Sequence, residues 1–105
     1  MELEKAIKRF IPMSETMFYI LFSLQEERHG YGIKQFVQEL THNRIELGAG
    51  TIYQSISKLE QNELITSTKE IDRKKLYLIT PLGKEILRLE GLRICEMYSV
   101  AKKLL

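Results

Sequence analysis

The chain has one cysteine, one aspartate, two prolines and no tryptophan among its 105 residues. Cys95 has no partner for an intrachain disulfide, so a fold this short must hold by packing or by association with another chain. No apolar run approaches the roughly 18 residues of a membrane span, because charged or polar residues interrupt every segment. No apolar leader follows Met1, and the expected setting is the reducing cytoplasm. Enzyme signatures are missing too: there is no Gly-x-Ser-x-Gly, no HExxH, no phosphate-binding Gly-Lys-Ser/Thr and no nucleophile set beside a base. His29 and His42 stand without a cysteine pair, which argues against a zinc site. Neither catalysis nor a metal or other cofactor is expected. Charge of one sign is also scarce, since the net charge is only +2, too little to imply a nucleic-acid partner. The exception is Lys69 to Lys75 (KEIDRKK), where four cations face two carboxylates and concentrate as much net charge as the whole chain carries.

What is present reads as one small domain, with 44% hydrophobic residues in a length suited to a single core. Leu3, Ala6, Ile7 and Phe10 fall at helical spacing and make one apolar stripe that Pro12 should end. Ser14 can cap a second helix whose segment Met17 to Leu24 is apolar nearly all round, placing it in the middle of the fold. From Tyr31 a third helix carries Ile33, Phe36, Val37 and Leu40 as an inward stripe. A short extended piece around Ile45 and Leu47 follows, then Gly48 and Gly50 loosen the backbone before a helix over Thr51 to Gln61. Ile65 to Ile79 reads as two strands joined by a charged turn, and Thr80-Pro81 is a strong helix start for a helix that can run to Leu105. The predicted fold is mainly α with a small β-hairpin: a winged helix-turn-helix over 13–80, an N-terminal helix over 1–12, and a long C-terminal dimerisation helix over 81–105.

Three segments carry a family resemblance: HGYGI at His29 to Ile33, GTIYQSISKLEQNELI at Gly50 to Ile65, and RKKLYLITPLGKEIL at Arg73 to Leu87. In that order and spacing they resemble the PadR family of transcriptional regulators. The resemblance implies a winged helix, a dimeric regulator of stress, phenolic-acid or multidrug response genes, and the short form without a separate C-terminal domain. Drug-sensing members use aromatic residues including tryptophan between subunits, and this chain has no tryptophan.

Wound as a helix, residues 50 to 61 gather Ile52, Ile56 and Leu59 on one side and leave Gly50, Gln54, Ser57, Lys58 and Gln61 broadly opposite, flanked by Thr51 and Tyr53. A small polar face of this kind suits a major groove: glutamine can pair with adenine, serine with either kind of base, and lysine with guanine or phosphate. The bland alternative is a solvated helix face. Arg73, Lys74 and Lys75 at the predicted turn suit phosphates or a minor groove, although lysines on strands also discourage edge-to-edge aggregation. Tyr31 sits where a helix start attracts anions, unless it merely packs; His29 reads as a loop or capping residue. Along the terminal helix Leu87, Gly91, Ile94, Tyr98, Ala101 and Leu105 alternate by four and three, a heptad seam that calls for a second copy of the chain. Ile86, Leu89, Val100 and Leu104 widen it, and Cys95 beside it is expected to be an inert buried thiol. Gly91, Ile94, Met97 and Tyr98, with Ile7 and Phe10 of the first helix, are expected to line a cleft for a small apolar or aromatic effector, or else a filled dimer core. The expected partners are double-stranded operator DNA and a second copy of the chain, with no membrane. The leading function is a repressor released from its operator by an effector; the alternative is a winged-helix protein-interaction module.

Overall fold

The computed structural model describes residues 1–105. Its elements run α1 (Leu3–Phe10), α2 (Glu15–Ser23), α3 (Gly30–Leu40), α4 (Ala49–Gln61), β1 (Ile65–Ile71), β2 (Lys74–Ile79) and α5 (Pro81–Ala101), closed by a short 3-10 turn at Lys102–Leu104. The two strands pair antiparallel, and no helix is long and apolar enough to cross a membrane.

Helix starts follow local chemistry. Ser14 accepts from the Met17 N–H, His29 Nδ1 from the Gly32 N–H, and Thr80 Oγ1 from the Gly83 N–H, each satisfying a donor that a first turn leaves free. Thr80 also donates to the Glu63 carbonyl, which ties the start of α5 to the end of α4. One core holds the molecule. Ala6 and Phe10 from α1, Ile20 and Leu21 from α2 with Leu24 just after it, and Ile33 and Val37 from α3 meet Ile52, Ile56 and Leu59 of α4 and Ile86 and Leu87 of α5.

Gly83 is the tightest point of that assembly. A Cβ there would overlap the Leu64 carbonyl and crowd Ile79, so α5 can lie across the base of the hairpin only because the side chain is missing.

Several expectations are corrected. Ile45 and Leu47 form no strand: the Ile45 N–H is taken by Thr41 Oγ1 and Leu47 turns into the core as loop. The hairpin's extra partner is Arg28 instead, whose N–H donates to the Tyr77 carbonyl while the Tyr77 N–H donates back. Leu40 leaves the inward stripe of α3 and is exposed, since α3 ends there. Phe18, Tyr19 and Phe22 of α2 are only half-buried, because the far half of α5 does not close over them. Helix α4 starts at Ala49, two residues before the expected Thr51, with Gly48 as its N-cap and Gly50 inside its first turn; both glycines keep negative φ and leave open space there.

Candidate nucleic-acid interface

The wing turns on two residues. Ile71 pairs with Lys74, leaving Asp72 and Arg73 as the loop, and both have positive φ, as the tight turn that follows strand twist requires. Aspartate tolerates that conformation, whereas arginine adopts it at some cost. The geometry holds Arg73 at the tip and sends Lys74 and Lys75 back along β2.

Between this wing and the helices lies a cleft of about 330 Å³ lined by Tyr31, Tyr53, Arg73, Lys74 and Lys75, together with His29, Gly30, Glu70 and Tyr77. Five of the residues expected at a DNA surface are thus brought together. Tyr53 is exposed, yet its ring edge lies so close to Gly30 that a Cβ there would fall 2.8 Å from the Tyr53 hydroxyl. A glycine at the start of α3 therefore lets the tyrosine of α4 rest on it. Tyr31 stacks on His29 with ring centroids 6.5 Å apart and is otherwise exposed.

On α4, Thr51, Gln54, Ser57, Lys58 and Gln61 are exposed while Ile52, Ser55, Ile56 and Leu59 are buried. Ser57 accepts from the Gln61 side chain, so the centre of the polar face is two small groups already joined. Lys58 stands at its margin, with Nζ 5.4 Å from the centre of the Phe10 ring, and faces α1 rather than the wing.

His29, Gly30, Glu70 and Tyr77 were not anticipated as cleft residues. Tyr77 had a readable signal: Lys75, Tyr77 and Ile79 alternate along β2 and share one face. Burial, with the Glu60 carboxylate and the Tyr53 phenol nearby, pushes the Tyr77 hydroxyl above its usual range.

A second cleft, of about 270 Å³, opens between α2 and α5 and is lined by Met13, Phe18, Tyr19, Ile94 and Met97 with Glu15 and Arg93 at its rim. Ile94 and Met97 were expected to line a cleft, but one against the first helix at a dimer axis, whereas here they face α2 of the same chain. Phe10 was expected in that cleft too, but it is 3% exposed, sealed in the core of a single chain, and Ile7 packs against the same core. Leu87 likewise leaves the seam for the core, whereas Tyr98, Ala101 and Leu105 are exposed and a Cβ on Gly91 would meet nothing within 4 Å. Cys95 is exposed, not buried. Beneath this cleft Glu90 is wholly buried and accepts from the Met13 N–H and from Arg93.

A helix-turn-helix whose polar helix stands beside a cationic two-stranded wing defines the winged-helix class. The chain belongs to the transcriptional regulator PadR-like family, whose model matches residues 17–89. Its fold is similar to that of a PadR family transcription regulator from Clostridium difficile, with a TM-score of 0.74, 22% identity, and coverage of 87% of this chain and 98% of that one. A PadR-like regulator from Bacillus cereus gives 0.72 at 22% identity over 95% of each chain. Bacillus subtilis PadR, solved in complex with operator DNA, gives 0.64 at 28% identity over 71% of this chain and 45% of that one. Among curated relatives, an uncharacterized protein from Lysinibacillus sphaericus is 32% identical over 68 residues, 61% of this chain and 62% of that protein. A 37.1 kDa protein in a Streptomyces fradiae transposon is 32% identical over 63 residues, 60% of this chain but only 18% of that protein.

Proposed function

We propose that this PadR-family regulator is a cytoplasmic repressor that binds operator DNA as a homodimer and releases it when a small apolar or aromatic molecule binds. The observation that carries DNA binding is the joining of three wing cations and two tyrosines around one cleft beside the exposed polar face of α4. In this reading Gln54 and Ser57 meet base edges, with Thr51 and Lys58 at the margins of the groove. Tyr31, Tyr53, Arg73, Lys74 and Lys75 hold the backbone and supply affinity without sequence information. The Bacillus subtilis relative in complex with operator DNA supports the same reading.

Dimerisation rests on the far half of α5. Met97, Tyr98 and Val100 are each more than half exposed, and Gly91 leaves room for a close helix. Gly91, Ile94, Met97, Tyr98, Ala101 and Leu105 form the contact in this reading, with Ile7 at its edge. The 270 Å³ cleft would take the effector, its apolar walls suiting a ring and its rim, Glu15 and Arg93, a polar group. An effector acts only if it binds the DNA-free arrangement more tightly.

The test is titration of the full chain onto the DNA upstream of its own gene in the presence of excess competitor duplex. Saturable binding that survives the competitor is expected. Binding abolished by competitor, with capture of an acidic protein partner intact, would favour the interaction-module reading instead.

A further inference from the structure

One carboxylate stands where a phosphate-binding cleft has no use for it. Glu70 is exposed and lines the same space as Arg73, Lys74 and Lys75, and it is the only acidic side chain there. It is the cross-strand partner of Lys75. Directly opposed residues of an antiparallel pair hold their Cβ atoms about 4.5–5.5 Å apart on one face, so Glu70 and Lys75 share one face of the wing without closing into an ion pair. The wing's remaining cation is differently placed: Lys69 Nζ lies 3.2 Å from the Glu27 carboxylate, which belongs to the loop before α3, and Lys69 is absent from the cleft.

We infer that Glu70 limits sequence-independent DNA affinity by offsetting, from the opposite strand of the wing, the charge that Lys75 presents to a phosphate. The inference rests on the DNA-binding reading above and adds to it a source of discrimination. A regulator finds its operator among a vast excess of other sites, so what matters is the ratio of specific to non-specific affinity, and a like charge at the phosphate surface lowers the second term. Glu27 does the same for Lys69 by removing it from the contact set.

The experiment titrates the full-length chain with a mixed-sequence duplex of about 20 base pairs, between about 50 and 200 mM salt. Glu70→Gln is expected to bind this duplex several-fold tighter, with log K falling more steeply against log salt by up to about 0.9, the value of one added phosphate contact. Glu70→Thr, which suits a strand, should show the same gain. Adding Lys75→Gln should abolish the gain, because Glu70 acts through that lysine, and Lys69→Gln alone should leave the slope where it was. Binding by Glu70→Gln and Glu70→Thr that is unchanged or weaker would overturn the inference, as would a gain that survives in the Lys75→Gln background. A wild-type chain with no salt-dependent binding would overturn the DNA-binding reading and this inference with it. Wild-type binding matched by the Glu70 variants overturns this inference alone.

Discussion

The two halves of α5 are continuous helix yet have opposite surroundings. From Pro81 to Glu90 the helix is pressed into the core, with Gly83, Ile86, Leu87 and Glu90 buried. From Gly91 onward no residue is buried, and Leu92, Met97, Tyr98 and Val100 are 57%, 55%, 57% and 61% exposed. Apolar content does not separate the halves; neighbours do. The first half has α1, α2 and the hairpin beneath it, while the second faces α2 only across the open cleft lined by Ile94 and Met97. Exposed apolar side chains in such a row mark a surface that meets something else. The same helix thus serves the fold at one end and, in the proposed reading, a second copy at the other.

The contrast is broken most severely at Gly83. Gly83→Leu should collapse the fold, since the new side chain overlaps the Leu64 backbone; a loss of about 3 kcal/mol or more is expected in urea unfolding. Next in size is Tyr98→Glu, which should leave the single chain folded, because Tyr98 is 57% exposed and lies outside the core, with only the Lys102 ammonium over its ring, yet weaken the dimer by about 2 kcal/mol, roughly 30-fold, in sedimentation equilibrium. If Tyr98→Glu dimerised like wild type, the far half of α5 would not be the contact.

Glu90 marks the boundary between the two halves. Burial alone would push its carboxyl up, but the Arg93 guanidinium and the Met13 N–H outweigh burial and hold it below the usual value of 4.5. Its contribution is therefore fully present above about pH 4.5 and is lost as the pH falls through the lower folded value. Glu90→Gln should cost about 1.5 kcal/mol at pH 7 and flatten the acid limb of the stability curve. Thermal unfolding of both proteins between about pH 3 and 7 checks this. The smallest effect is that of Gly91→Ala. With nothing within 4 Å, it should stabilise the isolated chain by up to about 1 kcal/mol through helix propensity, measured in the Tyr98→Glu background.

The legible parts of the molecule were those written in local chemistry. Ser14, His29 and Thr80-Pro81 announce helix starts because a cap needs only its own first turn, and the 65–79 hairpin reads from alternation around a charged turn. What failed depended on distant neighbours. Ile45 and Leu47 have the composition of a strand, but the sheet edge they would join is occupied by Arg28. Phe10 belongs to an apolar stripe that any partner could cover, and within the chain its partners include α4, with Lys58 over its ring. Glu90 interrupts an apolar run and looks like solvent-facing charge. A carboxylate three residues before an arginine is ordinary on a helix surface and did not single it out, and its other partner, Met13, is 77 residues away. In the wing cleft, Arg73, Lys74 and Lys75 stood out as a run of like charge, whereas Glu70 beside them looked like ordinary solubilising charge until the cross-strand register set it opposite Lys75.

The most direct measurement is a hydroxyl-radical footprint of the purified chain on the DNA upstream of its own gene, in the presence of competitor duplex. Two protected patches of inverted sequence are expected, centred one helical turn of roughly 34 Å, or a whole multiple of it, apart, because two recognition helices related by a two-fold axis must enter matching faces of the duplex. A single unpaired patch, or protection that competitor removes entirely, would contradict the account.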